Sequence, residues 1–120
     1  MPIHLWRVLF WTAFTAAFAL ALHPAPPPVF PPTSDKIQHF AAFAGLTMLA
    51  LLAYPKTPLW RIGVGLAAAG AAIEFAQLIP GLNRHGDFAD WIADIAGILI
   101  VLIPAGLLRR RRRFRESPKL

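Results

Sequence analysis

Four apolar stretches, each close to the roughly 20 residues a helix needs to cross a bilayer, fill most of this chain, and they constrain its fold more than any other feature. They lie at residues 3–22, 37–54, 60–79 and 88–108 of a 120-residue sequence. In lipid every backbone N–H and C=O must pair within its own segment, so such stretches are helices. With 57% hydrophobic and 15% charged residues, and a mean hydropathy of +0.54, the chain is too apolar for a water-soluble domain of this length. The expected class is all-α: an integral membrane four-helix bundle. The chain has no cysteine, which excludes disulfides, thiolate chemistry and Cys-ligated zinc or iron–sulfur centres.

The connections are punctuated by proline and glycine. Between the first two spans, residues 23–34 hold Pro24, Pro26, Pro27, Pro28, Pro31 and Pro32, which fix φ and remove donors, so this segment reads as an extended linker. Thr33, Ser34 and Asp35 are expected to cap the second helix with side-chain oxygens. Pro55 and Pro58 mark the next connection, and Pro80, Gly81 and Gly86 the third. The organisation expected is a first span (1–22), a linker (23–34), a three-helix core (35–108) and a basic tail (109–120). The first span also has the charged start, apolar core and small residues of a secretory signal peptide; its length favours a retained helix.

Orientation follows from the basic residues. With four spans, one set of loops holds Arg7, Lys56, Arg61 and seven tail cations, ten in all, while the other holds only Lys36 and Arg84. The positive-inside rule then places both termini in the cytoplasm. Trp6, Trp60 and Trp91 fall near span ends, where an amphipathic ring prefers the headgroup region. The tail residues Arg109, Arg110, Arg111, Arg112 and Arg113 are read as a stop-transfer signal held against anionic lipid, at about 1 kcal/mol per charge. The tail does not read as a nucleic-acid-binding surface: Phe114 alone could stack on a base.

The ionisable residues inside the spans are gathered, not scattered. An acid at a helix centre costs about 2.5–3.5 kcal/mol on insertion scales, so its presence needs a reason. At about 1.5 Å per residue, Glu74 lies about 7.5 Å inside the outer end of the third span. On the same rise His39 and Asp90 lie about 3 Å inside theirs, and Asp94 about 9 Å. Asp87, Asp90 and Asp94 share a helical face, as do Glu74 and Gln77 above Ala67 and Gly70, and as do Asp35, Gln38 and His39. Gly63/Ala67, Gly65/Ala69 and Ala93/Gly97 are small-xxx-small pairs that allow close helix contact. The expectation is an outward-facing acidic cup walled by three helices.

These residues carry a resemblance. Asp35-Lys36-x-x-His39-Phe40, Glu74-x-x-Gln77, Pro80-Gly81 and Arg84-x5-Asp90-x-x-Ala93-Asp94-x-x-Gly97 stand in order from Asp35 to Gly97. This pattern resembles the signature of the VanZ-like membrane protein family. Leu82-Asn83 separates Pro80-Gly81 from Arg84, where the family often runs Pro-Gly-Arg, and Asp94 stands where many members have Asn. The resemblance implies a bacterial cytoplasmic membrane location and a link to low-level resistance to the glycopeptide teicoplanin, but no defined reaction.

Two functions fit the cup formed by Asp35, His39, Glu74, Gln77, Arg84, Asp90 and Asp94. The favoured one is a binding module for a lipid headgroup, a cell-envelope precursor or a glycopeptide competing for it. The alternative is a membrane enzyme, such as a metal-assisted hydrolase, or a proton-linked transporter using the same acids. No Ser-His-Asp set, phosphate-cradling glycine loop or H-E-x-x-H helix is present in the sequence, so catalysis is not the primary expectation. No cofactor or metal is assigned. Pairs of Arg84 with Glu74 and Asp90 are expected to tie the outer loop to the bundle. Lys36 is read chiefly as an interfacial anchor. A homo-oligomer is compatible with the sequence.

Overall fold

The computed structural model describes residues 1–23, 32–79 and 88–116, with side chains of the second range described from Lys36 onward. The described chain forms four α-helices and no strand: α1 (Ile3–Leu22), α2 (Pro32–Ala53), α3 (Leu59–Ala76) and α4 (Phe88–Glu116). All four are long and apolar enough to cross a membrane.

Three boundaries differ from the sequence expectation. The third helix ends at Ala76 and not at residue 79, so Glu74 lies two residues from its end. The second helix begins at Pro32, inside the segment read as linker, because a proline in the first turn gives up an N–H that has no intrahelical partner anyway. Thr33, Ser34 and Asp35 are therefore inside the helix instead of capping it from outside. The fourth helix runs on through the arginines to Glu116, since arginine is a good helix former and cations near a helix C-terminus oppose its dipole. The basic segment is thus a rigid extension of the span, and at 29 residues α4 is about 43 Å long against a hydrocarbon core of about 30 Å. Pro104 lies inside it, where membrane helices tolerate the missing donor.

The helices pack through narrow seams at helical spacing. Phe43, Leu46, Thr47, Ala50 and Ala53 are buried on α2; Ile62, Leu66, Gly70 and Ile73 on α3; Asp90, Asp94, Gly97 and Ile98 on α4. α2 touches all three other helices and meets α4 most extensively. Gly97 makes that contact close: a Cβ there would run into the Phe40 carbonyl and stand 3.1 Å from the Ala44 nitrogen. Of the other small pairs, Gly63 packs under Leu102, while Gly65 faces open space. α1 joins the bundle through Phe10, with Trp6, Phe14, Ala17, Phe18 and Ala21 packed against the core. Large apolar side chains such as Val8, Met48, Val64, Ile100 and Leu107 point outward, as expected of surfaces solvated by acyl chains.

Candidate functional site

The start of α2, the end of α3 and the start of α4 meet at one end of the bundle. α2 and α4 run parallel there, with α3 antiparallel to both. Their close approach has a local cause. Gly97 lets the α4 backbone reach Phe40, the residue after His39, and Asp94 lies one turn before Gly97. Gly70, one turn before Glu74, has no Cβ; one built there would stand 2.8 Å from Asp94 Oδ2 and 3.3 Å from the Trp91 ring. The small residues thus set the spacing of the polar ones.

Four of the expected site residues come together. His39 Nδ1 lies 2.8 Å from Asp94 Oδ1 and 4.0 Å from Glu74 Oε1, while His39 Nε2 lies 3.8 Å from Asp90 Oδ2. An ionised carboxylate only accepts, so the short contact is an Nδ1–H donating to Asp94. Lys36 Nζ lies 3.3 Å from Asp90 Oδ1. Exposure falls steeply through the cluster: the side chains of Lys36, His39, Glu74, Asp90 and Asp94 are 42%, 13%, 12%, 5% and 0% exposed. The acids therefore form a packed polar centre with a half-open lysine rim, not the open acidic cup read from the sequence.

The other expected residues sit apart or outside the described chain. Gln77 is buried and turned toward the first helix, its Nε2 donating to the Ala21 carbonyl at 2.9 Å. Its Oε1 is buried and accepts no hydrogen bond among the described residues. The Asp35 side chain, Arg84, His85 and Asp87 lie outside the described residues, and with them the expected Arg84 pairs. Arg110, Arg111, Arg112 and Arg113 are exposed at the far end of α4, while Arg109 donates to the Thr57 carbonyl at 3.0 Å.

Two residues have roles the sequence reading missed. Lys36 is more than a surface anchor, because its ammonium meets a buried carboxylate; its spacing of three from His39 was the available signal. Trp91, expected at the headgroup level, instead donates from Nε1 to the Ala67 carbonyl at 2.9 Å and so ties α4 to the middle of α3. Nothing in a helical pattern distinguishes an inward tryptophan from an interfacial one.

Chemically, an imidazole among three carboxylates can relay a proton or hold a cation, and the lysine can meet an anionic group at the rim. Compared with known proteins, the chain matches no family model, no curated protein and no solved structure.

Proposed function

We propose that this chain is a VanZ-like protein of the bacterial cytoplasmic membrane whose polar end binds a headgroup presented by the outer leaflet. The headgroup belongs to a lipid or a cell-envelope precursor, and a glycopeptide would compete for it. The observation that carries the reading is the convergence of Lys36, His39, Glu74, Asp90 and Asp94 from three helices at one end of an otherwise apolar bundle. Ionisable groups placed in lipid without function are selected against by their insertion cost. The gradient of exposure divides the labour: Lys36 and the edges of His39 and Glu74 meet the headgroup, and Asp90 and Asp94 hold those groups in place from beneath.

The polar end faces outward in this proposal, with both termini cytoplasmic, because ten basic residues to two set the orientation. Reporter fusions at Lys56 and after Lys119 are expected to read cytoplasmic; an external signal after Lys119 would turn the site inward and end the proposal. The direct test is lipid-resolved mass spectrometry of the purified protein. One headgroup class is expected to be enriched over the bulk membrane, and enrichment is expected to fall in Lys36→Met. Co-purified lipid of bulk composition would refute binding.

A second reading, an acid/base enzyme or proton-linked transporter, is favoured by the His39–Asp94 contact of 2.8 Å. Glu74→Gln separates the two, since a hydrogen-bonding site keeps its function with an amide and a proton or cation site does not.

A further inference from the structure

We infer that His39, Glu74 and Asp94 form a site for one divalent transition-metal ion, with Asp90 orienting the imidazole. The inference goes beyond the headgroup reading, since it needs no lipid and turns on Asp94, fully buried beneath the exposed edges of His39 and Glu74.

The ligand atoms are already gathered. One atom each from His39, Glu74 and Asp94 lie within 4.8 Å of one another. Ligands at about 2.0–2.1 Å from a tetrahedral zinc are about 3.3 Å apart. The His39–Asp94 distance of 2.8 Å and the His39–Glu74 distance of 4.0 Å bracket that spacing, each within about 1 Å of it, and the remaining pair, Glu74 and Asp94, lies within 4.8 Å. Each ligand comes from a different helix, and each helix is held by a packed seam, which gives the set the rigidity a metal site requires.

Two further features separate this group from a mere accumulation of acids. The first is the imidazole at its centre, whose two nitrogens face different carboxylates. With Nδ1 toward the ion, Nε2 faces Asp90 Oδ2 at 3.8 Å, and closing that gap to a hydrogen bond would complete the carboxylate–histidine–metal order that fixes the tautomer and raises the basicity of the ligand. The second is Gly70, where any side chain would crowd Asp94 Oδ2; the missing Cβ is what lets that carboxylate sit against α3. Three carboxylates gather around one imidazole, a nitrogen and oxygen donor set of the kind that divalent transition metals take.

The donor set selects the ion. One imidazole and two carboxylates, with no thiolate in a chain that has no cysteine, suit zinc, manganese or ferrous iron better than magnesium or calcium, which prefer oxygen alone. Three protein ligands leave a further coordination position free for a small donor.

The test uses the full chain in detergent, stripped with a chelator and then equilibrated with zinc chloride alone. One zinc per chain is expected, with X-ray absorption showing nitrogen and oxygen ligands at about 2.0 Å and the scattering of a single imidazole. Asp90→Asn is expected to weaken binding about 10–100-fold, the usual effect of losing an outer ligand partner, and His39→Gln to weaken it further. His4→Gln, on α1 at the opposite end, is expected to bind as the wild type does. Substoichiometric zinc, a spectrum without imidazole, or loss of binding in His4→Gln would overturn the site. The wild-type spectrum decides the matter even if His39→Gln fails to fold. Zinc binding without headgroup enrichment would sink the functional proposal alone, and the converse would sink only the metal.

Discussion

The two ends of the bundle handle charge in opposite ways. At the end holding the chain's N-terminus, cations meet neutral partners: Arg7 Nε donates to the Ala53 carbonyl at 3.0 Å with its guanidinium 4.7 Å from the Tyr54 ring, and Arg109 donates to the Thr57 carbonyl at 3.0 Å. Trp11 Nε1 donates to the Tyr54 hydroxyl at 2.8 Å. No carboxylate among the described residues approaches these groups. At the other end, buried carboxylates meet an imidazole and a lysine. Long basic side chains can keep their charge in the headgroup layer while their stems lie along the helix. Short acidic side chains buried in the seams between helices, as Asp90 and Asp94 are, cannot reach water, so they must be satisfied by other helices. The basic end is therefore assembled from local anchors and the acidic end from one interdependent cluster.

The largest effect is expected where that cluster loses its pivot. His39→Ala leaves Asp94, fully buried, without the imidazole beside it and is expected to destabilise the bundle by about 3–5 kcal/mol. Adding Asp94→Asn should recover part of the loss, because it removes the stranded charge. Denaturant unfolding in detergent measures both, and strictly additive losses would show that the two ends differ only in sign of charge.

A smaller loss is expected at the contact that positions the cluster. A methyl group at Gly97 would collide with the Phe40 carbonyl, and backbone yields less readily than a side chain. Gly97→Ala is expected to cost about 1–3 kcal/mol, with Gly65→Ala, which faces open space, as the neutral control. Equal melting temperatures for the two variants would mean that α2 and α4 do not meet so closely.

At the rim, Lys36→Met is expected to cost about 1 kcal/mol or less, since the charge on a side chain 42% exposed is partly screened. A loss as large as that of His39→Ala would put Lys36 in the buried cluster instead of at its edge. The smallest effect belongs to the basic end, where Arg109→Gln is expected to change stability by only about 0.5 kcal/mol. A loss of several kcal/mol there would break the contrast between local anchors and an interdependent cluster.

The spans and the gathering of acids were legible because both rest on one-dimensional arithmetic. An apolar run of membrane length is a helix, and residues three or four apart share a face, so Ile3–Leu22 coincides with α1 and His39, Glu74, Asp90 and Asp94 fall together. The extensions of α2 to Pro32 and of α4 to Glu116 are not legible in the sequence for a related reason. A proline run suggests a linker and an arginine run a tail beyond the span, whereas proline fits a first turn and arginine continues a helix. Gly63 and Gly65 look alike in the sequence, yet one packs against Leu102 and the other faces open space, because a small-residue spacing does not say which face meets a neighbour.

Composition and spacing determined the class, the four helices and which faces are polar, since these follow from the insertion energies of single residues and the 3.6-residue period. They could not determine how helices distant in sequence turn toward one another. Only the packing of α2 against α4 through Gly97 put His39 on Asp94, only that of α3 through Gly70 brought Glu74 within reach of the same imidazole, and only their joint closure buried the acids. Distances between side chains on different helices depend on how closely their backbones approach, and that approach is set by the summed van der Waals contacts of the whole seam.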